Sequence, residues 1–104
     1  MKNLREYIED ILASSQTGVL AWSGTSSKSC FRTKNRDEGI ILCKYYPKGG
    51  DNYVCSLSFL DADGVLKEDK QYIFENDSKE YLMLADLYDN ISRKIKEIEM
   101  YELV

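Results

Sequence analysis

A chain of 104 residues with 43% hydrophobic, 31% charged and 12% aromatic content has the make-up of one ordinary globular domain. Its net charge of −4 speaks against a broad phosphate-binding surface, which needs an excess of Lys and Arg. No apolar run approaches the roughly 20 residues that span a bilayer. Met1-Lys2-Asn3-Leu4-Arg5-Glu6 also lacks the apolar stretch of a secretory leader, so the expected location is cytoplasmic.

The first element reads as a short helix. Leu4, Tyr7, Ile8, Ile11 and Leu12 fall at i, i+3, i+4, i+7 and i+8, a single apolar stripe. Asn3 is placed to cap it, with Glu6 as the reciprocal partner, and Ser14-Ser15-Gln16-Thr17-Gly18 breaks the pattern.

Residues 18–22, 30–33, 40–46, 53–60 and 71–74 are short β-prone runs, and residues 65–68 can start the last of them early. Asn35-Arg36-Asp37-Glu38-Gly39, Lys48-Gly49-Gly50-Asp51 and Asp61-Ala62-Asp63-Gly64 separate them as turns. Connections this short cannot carry parallel crossovers, so an antiparallel meander of four or five strands is expected. In the fourth run Tyr53, Cys55, Leu57 and Phe59 form the core face. The third run is apolar on both faces, Ile41, Cys43 and Tyr45 against Ile40, Leu42 and Tyr46. Such a strand needs cover on both sides. Either the helices lie on opposite sides of the sheet, or one side meets another protein. Keeping the odd-numbered sets together predicts Cys43 opposite Cys55, Ile41 opposite Leu57 and Tyr45 opposite Tyr53.

A long C-terminal helix follows from residue 78 to about 99, with Asp77 as its expected cap and Glu80 completing the box. Tyr81, Leu84, Tyr88, Ile91, Ile95 and Ile98 alternate three and four apart. At about 33 Å this helix outruns strands of roughly 17 to 26 Å. The overhang carries the seam of Ile91, Ile95 and Ile98, unless the first helix covers it.

Chemistry-bearing patterns are few. Three cysteines, Cys30, Cys43 and Cys55, lie inside apolar runs, with no Cys-x-x-Cys spacing and no histidine. They read as buried, reduced thiols, and a zinc site has no ligand set. Ser23-Gly24-Thr25-Ser26-Ser27-Lys28-Ser29 lacks the glycines of a phosphate-binding loop and precedes a strand rather than a helix. Reading Asp61-Ala62-Asp63-Gly64 as a calcium loop would put Phe59 and Lys70 at ligand positions, where neither can serve. Asp61 or Asp63 with Glu68-Asp69-Lys70 resembles the acidic and Glu-x-Lys halves of a magnesium-dependent nuclease only loosely. Without histidine no serine or cysteine has an evident activating base. No catalytic residue and no cofactor is assigned.

The sequence therefore predicts a single α+β domain over residues 1–104, working as a non-catalytic protein-interaction module such as a small adaptor or regulatory inhibitor. The expected partner is a protein or a second copy in a homodimer, met through Tyr88, Ile91, Ile95 and Ile98. The alternatives are an acidic inhibitor occupying an enzyme's nucleic-acid site and, more remotely, a divalent-metal hydrolase. Membrane contact is not expected, nor is direct nucleic-acid binding.

Overall fold

A computed structural model describes residues 3–102, and the side chains of all of these except 68, 69 and 98–102. The chain opens with α1 (Leu4–Gln16). Asn3 caps it as expected: its side-chain oxygen accepts from the Glu6 N–H at 2.9 Å, and its Nδ2 donates to the Glu6 carboxylate at 3.3 Å. The apolar stripe faces inward, with Ile8 and Ile11 buried.

Residues 18–22, expected as a strand, pack against the end of α1 instead. Gly18 takes a φ of 82°, the left-handed conformation that ends a helix. The Leu20 N–H then donates to the Ser14 carbonyl at 3.0 Å. That carbonyl is one of those a helix leaves unpaired at its C-terminus. The donor a strand would offer its neighbour is thus spent on the helix, and Leu20 is buried. Sheet pairing starts only at β1 (Ser23–Gly24).

β2 (Cys30–Asn35), β3 (Glu38–Tyr45), β4 (Val54–Leu60) and β5 (Leu66–Glu75) follow, and the five strands lie in chain order, each antiparallel to the next. The expected meander is thus present, with its last strand starting early. Asp61 builds the β4–β5 turn: its carboxylate accepts from the Asp63 and Val65 N–H groups at 2.9 and 3.0 Å. α2 (Lys79–Glu102) closes the fold. Its cap is Ser78 rather than Asp77. The Ser78 hydroxyl donates to the Glu75 carbonyl at 2.8 Å and accepts from the Tyr81 N–H at 3.1 Å, bridging the end of β5 to the first helical turn.

The β3–β4 register is one residue away from the expected one. Cys43 pairs with Ser56 rather than Cys55, Ile41 with Ser58 and Tyr45 with Val54. A one-residue slip exchanges the two faces of a strand. Ile40 and Leu42, each 0% exposed, therefore share the core face with Cys55, Leu57 and Phe59. A strand apolar on both faces does not choose between them by itself; its other neighbour contributes to the choice. β2 has one core face only, Phe31 and Thr33, and these pair with Leu42 and Ile40. The row Phe31–Leu42–Leu57–Tyr72 then runs across four strands.

Both helices cover this same face. Tyr7 of α1 meets Phe59 edge-on at 5.3 Å, Phe31 contacts Tyr88 of α2 at 5.0 Å, and Leu84, Leu87 and Ile91 are buried in the same cluster. The cysteines correct a second expectation. Cys30 and Cys43 face each other across β2 and β3 on the opposite side of the sheet and form a disulfide, while Cys55 stays a buried thiol.

The observed register makes a direct prediction. Ile40→Ala should cost about 2–4 kcal/mol and Ile41→Ala about 1 kcal/mol or less, because only the first opens a cavity in the core. Urea unfolding of the two variants checks it; the reverse order would restore the odd-numbered register.

Candidate interaction surface

The described part of the C-terminal seam packs against the core. Ile91 is 5% exposed and Ile95 half-buried against the core, so neither stands in water as the overhang argument required; the side chain of Ile98 lies outside the described residues. The helix does outrun the strands, at about 36 Å for its 24 residues. Residues 18–22, however, leave the sheet and widen the layer beneath it. With Leu12, Leu20 and Trp22, Ile91 and Ile95 line a groove of about 430 Å³. Trp22 is fixed there by its indole N–H, which donates to the Ser15 hydroxyl at 2.9 Å.

Tyr88 serves a different place. Its ring lies against Phe31, and its hydroxyl donates to the Lys28 carbonyl at 3.3 Å. Lys44 Nζ sits 5.9 Å from that ring, 5.7 Å from the Tyr53 ring and 3.4 Å from the Asp89 carboxylate. Burial alone would lower the Lys44 pKa, but Asp89 outweighs it and raises it. Burial pushes the Cys55 thiol beneath up to about 11, which keeps it protonated and inert.

At the other end of the sheet a polar cluster ties three elements together. The Tyr7 hydroxyl of α1 donates to Glu38 Oε1 at 2.6 Å, and Lys67 Nζ of β5 donates to Glu38 Oε2 at 2.8 Å. Burial raises the Tyr7 pKa, and the bond to Glu38 adds to it, reaching about 12. Burial alone would raise Glu38 too, but the hydrogen bonds from Lys67 and Tyr7 prevail and hold it below the ordinary carboxylate value. Asn35, Arg36, Asp37 and Asp61 complete an open polar hollow around the cluster. Asp61 is engaged in its turn, and no grouping of three Cys, Asp or Glu side chains among the described residues could hold a metal ion; Glu68 lies outside them.

The remaining feature is the sheet face turned away from the helices. Its cross-strand rows are Cys30–Cys43–Ser56–Ile73 and Arg32–Ile41–Ser58–Gln71. Ser56 and Ser58 are buried between larger neighbours, while Ile73 is 59% exposed. Among the described residues no secondary-structure element lies over this face. The doubly apolar β3 marked it in the sequence, but the register decided which residues it shows. No described helix is long and apolar enough to cross a membrane. No family model, curated protein or solved structure matches the chain.

The polar groups can be tested one at a time. Tyr7→Phe should lower stability by about 1 kcal/mol at neutral pH. The Glu38 contribution is present above its unfolded pKa and is lost as pH falls through its lowered folded value, so the variant should lose less on acidification. Tyr7 acts at the other limit: its contribution is full below 10.0 and fades as pH rises through about 12. Urea melts at neutral and acid pH measure the acid-side difference. Separately, Asp61→Ala should cost about 1 kcal/mol and Asp63→Ala about 0.5 kcal/mol or less, since only Asp61 holds the turn. Thermal unfolding distinguishes them, and equal losses would contradict the turn assignment.

Proposed function

We propose that this chain is a non-catalytic protein-interaction module that docks through the helix-free face of its sheet, in the cytoplasm, with a second copy of itself as the partner. The observation carrying this reading is that both helices pack on one face, while β3 and β5 still show Ile41, Tyr45 and Ile73 on the other. A strand with two apolar faces is covered on both in a stable sheet. The four longer strands, of 6 to 10 residues and spaced about 4.8 Å apart, present roughly 500 Å² per side, so two copies would bury about 1,000 Å², at the lower bound for a specific interface. The charges suit self-pairing: Arg32 and Lys34 lie toward the β2 border and Glu75 toward the β5 border of the same face. A two-fold axis in the interface can set one border against the other.

The Tyr88, Ile91, Ile95 and Ile98 seam is the weaker candidate, because Ile91 is buried and Ile95 partly buried against the chain's own core. The alternative of an acidic inhibitor at a nucleic-acid site gains no specific support. The described carboxylates are spread over both helices and several turns, and Glu38, Glu80 and Asp89 are paired with Lys67, Arg5 and Lys44. Light scattering tests the proposal. The chain should be dimeric at about 100 μM, and Ile73→Lys should return a monomer with an unchanged circular dichroism spectrum. A wild-type monomer at that concentration would reject self-association through this face.

A further inference from the structure

The disulfide joins directly opposed residues of two adjacent strands, with Cα atoms 4.2 Å apart. The bond from the Lys44 N–H to the Ser29 carbonyl, 3.0 Å, belongs to the next pair along. Cys30 and Cys43 therefore occupy the kind of pair that has no direct backbone hydrogen bonds, in which opposed side chains come closest. Both are partly exposed on the face that no described element covers. A thiolate in solution can reach them without unfolding the chain. The β2–β3 ladder continues from Cys30 and Cys43 to Asn35 and Glu38 independently of the bridge, so reduction leaves the two thiols opposed and able to close again. Cys55 cannot trade places with either, because it is 0% exposed and lies on the other face of the sheet.

We propose that Cys30 and Cys43 form a reversible thiol–disulfide couple that exchanges with dithiols in solution, a redox-modification site on the open sheet face. In the reducing direction a thiolate of the dithiol attacks one cysteine sulfur. The S–S bond breaks, a mixed disulfide forms, and the other cysteine leaves as a thiolate that takes up a proton. The second thiol then attacks its own partner sulfur in the mixed disulfide. The second cysteine is released and protonated, and the reductant departs as a disulfide. Two electrons and two protons pass to the protein and the same number leave the dithiol. A cytosolic disulfide is usually of this transient kind rather than a permanent staple. A second copy seated on this face would cover the bridge, so the exchange is measured on the Ile73→Lys chain as well as the wild type. Reduction of the variant alone supports both proposals, and resistance of both chains rejects the redox site.

Structural effects should be local. β1 contributes only Ser23 and Gly24 to the outer side of β2, so reduction leaves the start of β2 held mainly by its ladder to β3. The folded protein is oxidised with glutathione disulfide, then treated with dithiothreitol without denaturant and alkylated, with the sites read by mass spectrometry. The expected result is two labels per chain after reduction, at Cys30 and Cys43, none before it, and label on Cys55 only in denaturant. Cys55→Ser should behave identically, and Cys30→Ser should form no intramolecular bridge. Amide exchange should rise on reduction at residues 25–32 and stay unchanged across β4. Failure to oxidise, reduction of both chains only in denaturant, or loss of the bridge in Cys55→Ser would each overturn the proposal.

Discussion

The pairing of Leu42 with Leu57 is the contact on which the rest of the architecture hangs. Shifted by one residue, β3 would present Ile41 and Cys43 to the helices and turn Ile40 and Leu42 outward. With the observed pairing, the core face carries Phe31, Leu42, Leu57 and Tyr72 in one row, and Thr33, Ile40 and Phe59 in the next. Ile8 and Ile11 of α1 and Leu84, Leu87 and Ile91 of α2 close over those rows to form a single cluster. The same pairing sends Cys43 to the open side of the sheet, where the β2–β3 register sets Cys30 opposite it and so places the disulfide. Core and open face follow from the β3–β4 register, and the bridge from the β2–β3 register.

Polar contacts fasten the helices to the sheet at its two ends. Glu38 sits near the start of β3 and receives Tyr7 from α1 and Lys67 from β5, so one carboxylate holds together elements far apart in the chain. Near the end of the same strand Lys44 reaches Asp89 on α2. The second of these is exposed enough that solvent screens most of its energy, and its role is orientation more than stability. The apolar rows between the two ends contribute most of the stabilisation, as expected for packing at native density.

Much of the fold was legible because the signals were local. The Asn3–Glu6 box, the stripe of α1, the turn residues and the heptad of α2 each require only a few neighbouring residues to act. What was not legible depended on partners distant in sequence. Ile40-Ile41-Leu42 carries no period, so its facing was set by Phe31 and Thr33 on the neighbouring strand. Residues 18–22 have strand-like composition, yet the Ser14 carbonyl, which no helical N–H reaches, accepts the Leu20 N–H. Leu20 then joins the buried cluster that also holds Ile91. The disulfide lay hidden for the same reason: Cys30 and Cys43 become neighbours only once the β2–β3 pairing is known. Asp77 and Ser78 were adjacent candidates for one cap, and the reach of a hydroxyl to Glu75 decided between them.

The order of elements along the chain has a consequence during synthesis. Every strand pairs with the one before it, so the sheet can assemble by successive hairpins as residues leave the ribosome, with little loop entropy to overcome. Its core face cannot close at that stage. α1 supplies Ile8 and Ile11, but Leu84, Leu87 and Ile91 are the last core side chains to be made. Until α2 emerges, Phe31 and Leu42 lie beneath a half-finished roof, and the sheet carries uncovered apolar surface on both sides at once. That nascent intermediate is the form of this protein most in need of a chaperone. A stop codon or ribosomal stall before residue 84 would leave the chain there, marked for aggregation or proteolysis rather than for use.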